Sequence, residues 1–467
     1  MKQGVDRKWY ILAAIGAGSF MSALNASVVN TILPLVRDAF QSDVASIEWV
    51  VTIYLLVLSG LQLTFGRLGD LRGHKSVYLW GFVIFIGSSA LCGAAGSPGM
   101  LIFLRGIQAI GAAVLAANSA AIVGRNIPPS ERGRAFGLVS MLTYLGLTVG
   151  PSLGGWVAHT YGWRTVFYLN VPIGLFALAL GWLFIPKTGP AEAEKRFDLA
   201  GAALFLAGLS ALLLGLNKGA EWGWLSPATI GSLIGAAVLL VVFVQVERRT
   251  AEPMLDLSLF SVPLFSMATI SAVLNYICVY SITFLMPFYL IQGRGLNAAQ
   301  AGLLLTIQPI LMAITAPISG ALSDKIGSRI PGMLGMAFLG GGLFLLSTIG
   351  PETPLWQIGL GLAIAGFGTG TFISPNTSAL MGSAPRSRQG IASGVQGTAR
   401  NLGMVLGIGL AGAVLTTQLA QETPGALYNG ISQAFLIAAV VAAAGIVTSA
   451  NKEEGDLVTV GSGSGSK

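Results

Sequence analysis

Two arginines lie inside long apolar runs of this sequence, and they are its strongest candidates for chemistry. Arg105 sits about five residues from one end of its run, and Arg400 about ten residues, roughly 15 Å, from the end of another. A charge inside a bilayer is costly and marks function by default unless its side chain reaches the interface. Arg105 is near enough to an end to do so; Arg400 is too deep. None of the 19 acidic residues lies near the middle of a run, and Glu48, beside Trp49 at the end of the second run, comes closest. His74 and His159 read as loop residues. Cys92 and Cys278 read as isolated core thiols, with no disulfide implied. Nucleophile elbows, P-loops and metal-spaced His/Cys clusters are absent from the sequence, so no catalytic or metal residue and no bound cofactor is expected.

Other polar and aromatic residues punctuate the runs: Asn30, Tyr54, Gln62, Gln108, Asn118 and Tyr144 in the first half, and Asn275, Tyr276, Phe284, Gln308, Asn376 and Gln396 in the second. Each alone reads as inter-helix glue. Together with Arg400 they would wall a pocket for bulky amphipathic compounds. Aromatic faces would also suit cations, although no deep carboxylate is present to pair with one.

The elements that hold these residues follow from composition. The 467 residues are 54% hydrophobic and 10% charged, with a mean hydropathy of +0.75. Soluble domains carry about 25% charged residues, so a water-facing surface of this size cannot be covered. That excludes a soluble enzyme, a disordered chain and an ordinary nucleic-acid binder. Fourteen apolar runs are long enough to span a bilayer, six within 10–185, two within 199–246 and six within 264–447. Their length and lack of alternation predict helices, giving an all-α integral membrane protein. A cytoplasmic tail over 448–467 is expected to end in an appended linker, Gly461–Lys467.

The net charge of +7 is distributed unevenly. With the N-terminus inside, 20 of the 26 Lys and Arg fall in inner segments and 4 in outer loops, with Arg105 and Arg400 within spans. Both termini are therefore expected in the cytoplasm, and the excess charge needs no nucleic-acid partner.

The chain also repeats itself. Gly66-Arg67-Leu68-Gly69-Asp70-Leu71-Arg72-Gly73 follows the second run, and Gly320-Ala321-Leu322-Ser323-Asp324-Lys325-Ile326-Gly327 follows the tenth. Two six-helix blocks flanking two inserted helices are the form that alternating access uses, with the substrate site between the halves. Gly66 and Gly73 would permit a tight turn and close helix approach. Asp70 would accept hydrogen bonds from a neighbouring helix N-terminus or from Arg72, with Arg125 and Arg134 as further candidates. Such contacts read as a switch latch, with Asp324 its weaker second copy.

The first loop resembles the signature of the major facilitator superfamily. Gly146–Gly155 resembles its antiporter motif, Arg105–Gly111 its proton-coupling motif with Ala109 in place of glycine, and Leu24–Pro34 the first-helix motif of drug–proton antiporters. The two inserted helices and Glu252-Pro253-Met254-Leu255-Asp256-Leu257 resemble the fourteen-helix branch. The resemblance implies two six-helix bundles plus two inserted helices. It also implies proton-gradient-driven efflux of lipophilic or amphipathic drugs, cationic ones included, and hence antibiotic resistance. It points to a monomer in a bacterial inner membrane.

The resemblance further implies that Gly150 and Pro151, with Gly146 and Gly154, form a sealing face between the halves. It makes Asn25 and Arg105 the coupling pair, facing each other across the central cavity. Drug–proton antiporters usually carry aspartate where this chain has Asn25, and an amide does not titrate. Coupling then runs through Glu48 or Asp70, or the transporter is uncoupled, or Asn25 replaces an aspartate by design. A lipid or metabolite exporter or flippase of the same fold, and a facilitator, channel or sensor, are the alternatives.

Overall fold

The computed structural model describes residues 3–42, 44–187, 197–223, 225–250, 253–421 and 425–451. Lys195, Arg196, Glu252 and the tail over 452–467 lie outside them. The first six helices are α1 (Gln3–Phe40), α2 (Val44–Arg72), α3 (His74–Gly93), α4 (Pro98–Asn126), α5 (Arg132–Tyr161) and α6 (Trp163–Phe184). The inserted pair is α7 (Leu199–Trp222) and α8 (Pro227–Arg249). The rest are α9 (Pro263–Pro287), α10 (Ala298–Leu305), α11 (Ile307–Ile326), α12 (Arg329–Ser347), α13 (Leu355–Ser383), α14 (Gln389–Leu419) and α15 (Ala426–Ala450). Because α10 and α11 share one span, fourteen stretches of the described residues are long and apolar enough to cross a membrane. That is the architecture expected from the sequence.

Helices α1–α6 pack on one another, and so do α9–α15. Helix α7 lies against α2 of the first bundle and α14 of the second, with α8 behind it. Leu206 of α7 fills the space over Gly60, and Phe205 meets Phe243 of α8 at 5.2 Å between ring centroids. The connector after α8 is pinned as well: the Leu255 amide donates to Glu247 at 2.9 Å, and Asp256 pairs with Arg388 at 2.7 Å.

The two bundles meet at one face through a reciprocal contact. Helix α14 has no side-chain cap of its own. Asp70, from the end of α2, supplies one: its carboxylate accepts from the Gly390 and Ile391 amides at 2.9 and 3.0 Å. Helix α5 also lacks a local cap. Asp324, from the end of α11, accepts from the Gly133 and Arg134 amides at 2.7 and 2.9 Å. In both helices the donors are the second and third residues, and the carboxylate also meets the positive end of the helix dipole.

Each part of the repeated loop has a use in this contact. A Cβ on Gly66 would overlap the Gly390 carbonyl, and one on Gly320 the Gly133 carbonyl, so both seams need backbone against backbone. Gly73 and Gly327 turn the chain with φ of 89° and 81°, where a side chain is strained.

Three expectations change here. Arg72 is exposed, and the third partner of Asp70 is His74, whose Nε2 lies 3.1 Å from Oδ1. His74 is no loop residue: it opens α3, is 1% exposed and also bonds Asn118 at 2.7 Å. The backbone turn at Gly73 swings it inward while Arg72 points to solvent. Asp324 holds the same two-amide contact as Asp70, because basic flanks play no part in capping.

The glycines of α5 are also placed differently. Gly146, Gly150 and Gly154 pack on Phe20, Ser27 and Val28 of α1 within the first bundle, while Pro151 is exposed. Glycine spacing fixes a close-packing face but does not say which helix fills it.

Two results follow. Asp70→Ala removes a cap worth about 1–2 kcal/mol. It should raise maleimide labelling of a cysteine placed at buried Ile391 by about 5- to 30-fold; unchanged labelling would reject the latch. Gly146→Val, whose Cβ would lie 2.6 Å from the Phe20 carbonyl, should lower Tm by overpacking worth about 1–3 kcal/mol. It should leave that labelling unaltered.

Candidate functional site

A cavity of about 300 Å³ lies between the bundles. The first bundle contributes α1, α2, α4 and α5 to its wall, through Ser19, Ser22, Tyr54, Gln62, Thr143 and Tyr144 among others. The second contributes α9, α13 and α14, through Tyr276, Tyr280, Thr377, Gln396, Arg400 and Asn401. Towards the latch face the cavity is closed by contacts between the bundles. Asn401 donates to Gln62 at 3.3 Å, and Gly394 and Gly397 of α14 leave room only for Leu63 and Gln62. Gln396 is held by Thr377 at 2.6 Å.

Among the described residues lining the cavity, Arg400 alone carries a charge. It is half-buried and makes no hydrogen bond or ion pair with a described residue. Tyr144, Tyr276 and Tyr280 stand within its electrostatic reach.

Arg105 belongs to a different setting. It is 1% exposed and sits in the first bundle behind Tyr54, with its guanidinium carbon 4.0 Å from the centre of that ring. Its Nε donates to the Val50 carbonyl at 3.1 Å and its NH1 to Gln108 Oε1 at 2.5 Å. Gln108 in turn donates to Ser89 at 2.5 Å and to Asn25 Oδ1 at 3.4 Å. Asn170 of α6 also donates to Asn25 Oδ1, at 3.1 Å. The Asn25 amide nitrogen is buried with no partner among the described residues. No described carboxylate pairs with Arg105.

Asn25 and Arg105 therefore do not face each other across the cavity. They share one polar cluster inside a single bundle, joined through Gln108. Glu48 stands apart from both: it is exposed at the end of α2 farthest from the latch and pairs with Lys218 of α7 at 2.8 Å.

Of the residues expected to bind substrate, Tyr54, Gln62, Tyr276, Gln396 and Arg400 line the cavity, as does Tyr144. The others do not. Asn30 is exposed on α1. Gln108 serves the Arg105 cluster. Asn118 is fixed by His74 and the Phe65 and Val114 carbonyls. Asn275 packs on Met336, Asn376 donates to the Ala268 carbonyl, and Gln308 is buried against Gly366. Phe284 meets Phe288 at a tilt, with ring centroids 5.2 Å apart. Gln108, Asn118, Asn275 and Asn376 each bond a neighbour in their own bundle, as inter-helix polar groups do. Tyr280, one helical turn from Tyr276, is among the cavity residues that the sequence reading missed, with Ser19, Ser22, Thr143 and Thr377. For Tyr280, the four-residue spacing from Tyr276 was the available signal.

Comparison with known proteins agrees with this arrangement. The family model of the Major Facilitator Superfamily matches residues 15–408, and again 268–455. The riboflavin transporter RibZ of Clostridioides difficile is 34% identical over 404 residues, covering 86% of this chain and 87% of that protein. The multidrug resistance protein Stp of Mycobacterium tuberculosis is 34% identical over 410 residues, covering 87% and 76%. The structure of the human organic anion transporter MFSD10 (TETRAN) aligns with a TM-score of 0.65 over 93% of this chain and 99% of that one. At 18% identity it speaks to the fold alone. Fourteen spans, paired bundles around a shared cavity and a family match along most of the sequence lead to one conclusion: the chain belongs to the Major Facilitator Superfamily, and it is a transporter rather than an enzyme.

Proposed function

We propose that this chain exports small amphipathic compounds from the bacterial cytoplasm by alternating access. It works as a monomer in the inner membrane with both termini cytoplasmic. A proton gradient drives the cycle when position 25 is acidic; with asparagine there, the cycle runs uncoupled. The observation that carries the reading is a cavity shared by two bundles and sealed on one face by crossed caps that are free to break.

The Lys and Arg bias assigns the latch face to the cytoplasm. On this reading the cavity is sealed from the cytoplasm, as it would be in the outward-facing half of the cycle. Loading from inside requires Asp70 and Asp324 to leave their helices, so that one bundle rocks against the other. The multidrug resistance relative supports an amphipathic cargo, and the riboflavin transporter an aromatic one.

The proton assignment rests on the cluster around Asn25. Its oxygen already accepts two hydrogen bonds while its nitrogen is stranded. An aspartate would keep the acceptor, lose the stranded donor and bring a titratable group beside Arg105.

In proteoliposomes, the chain as it stands should show saturable counterflow that ignores an imposed pH gradient. Asn25→Asp should make accumulation follow the gradient, up to about tenfold per pH unit for one proton exchanged. Gradient-driven transport without the substitution would place the carrier elsewhere, with Asp70 beside His74 and Glu48 the groups to test. Absence of counterflow in both forms would defeat the export reading.

A further inference from the structure

Away from the latch face, Arg105 and Arg400 are the guanidinium groups deep within the spans, and among the described residues no carboxylate pairs with either. Arg105 spends its donors on Val50 and Gln108 and lies against the far side of Tyr54. Arg400 lines the cavity itself and makes no hydrogen bond or ion pair with a described residue. Gln108 links Arg105 to Asn25, an amide where a carboxylate would have supplied a counter-charge.

An uncompensated charge in a low-dielectric interior is unfavourable, and a second one of the same sign makes it more so. The one charge lining the cavity among the described residues is therefore positive, with Arg105 behind its Tyr54 wall. A cationic cargo would enter against that field with no carboxylate to receive it. An anionic cargo would find a planar guanidinium whose parallel N–H groups match a carboxylate or sulfonate in bidentate fashion. The tyrosines around Arg400 provide aromatic faces for the cargo's body and hydroxyls for its remaining acceptors.

We infer that the substrates of this transporter are small aromatic organic anions, held by their acidic group on Arg400 and by their rings between Tyr144, Tyr276 and Tyr280. The inference rests on the export reading for its cargo route, but the binding geometry stands without it. It narrows the sequence-based expectation of amphipathic or lipophilic substrates, cationic ones included, to anions.

Two dyes of one xanthene skeleton and opposite charge test it: fluorescein, an anion at neutral pH, and rhodamine 123, a cation. Both dyes are measured in one buffer of low ionic strength, so that its anions compete equally in every comparison. Fluorescence anisotropy with the purified chain should show saturable fluorescein binding and at least tenfold weaker rhodamine binding. Arg400→Gln should weaken fluorescein at least tenfold and leave rhodamine unchanged or tighter. Arg400→Lys, which keeps the charge and loses the fork, should fall between.

Equal or preferred binding of rhodamine by the unaltered chain overturns the inference, and this arm needs no variant to fold. Fluorescein binding that survives Arg400→Gln overturns it too, as does failure of fluorescein to bind the unaltered chain. Counterflow of fluorescein in proteoliposomes is scored separately. Arg400-dependent binding without counterflow keeps the anion site and defeats the export reading.

Discussion

The structure depends on two carboxylates that cap helices belonging to the opposite half. Asp70 reaches the start of α14 and Asp324 the start of α5, at equivalent positions, and neither helix carries a cap of its own. Such contacts suit a moving part. They are short-range and charge-assisted, strong while the backbones touch and lost within a few ångströms of separation. The glycine pairs at Gly66 and Gly390, and at Gly133 and Gly320, set that separation by letting main chain meet main chain. A larger hydrophobic seam would hold the halves more firmly but would make opening costly.

His74 gives the first latch a feature the second lacks. Asn118 donates its own amide hydrogens to the Phe65 and Val114 carbonyls, which turns its oxygen to His74. Both imidazole nitrogens thus face acceptors, Asn118 on one side and Asp70 on the other. The ring bridges Asn118 and Asp70 and so holds Asp70 in the orientation that meets α14. In the second latch Asp324 meets its two amides alone among the contacts described.

The inserted helices lean on both halves at once. Helix α7 touches α2 and α14, the same two helices that form one seam, and Lys218 ties its far end to Glu48. Any rocking that separates α2 from α14 must therefore slide along α7. Helix α8 reaches the bundles mainly through α7 and through the connector held by Glu247 and by Asp256 with Arg388.

The sequence by itself determined the membrane class, the number of spans, the doubled six-helix plan and the two deep arginines. These are properties of composition, run length and repeat, and they survive without knowing any contact. It could not determine which way each helix face points. In a soluble protein a polar stripe marks the outside of a helix; in a membrane both the core and the lipid are apolar, so the periodicity that would orient a helix is lost. That is why Gln108 and Asn118 could be read as cavity residues and turn out to hold Arg105 and His74, and why the α5 glycines could be assigned to a seam and turn out to meet α1. The two amides that Asp70 caps lie more than 300 residues away, and only the packing of one bundle on the other brings them within a hydrogen bond. The isolation of Arg400 was likewise decided by tertiary structure, since it depends on which side chains the other six helices lining the cavity turn towards it.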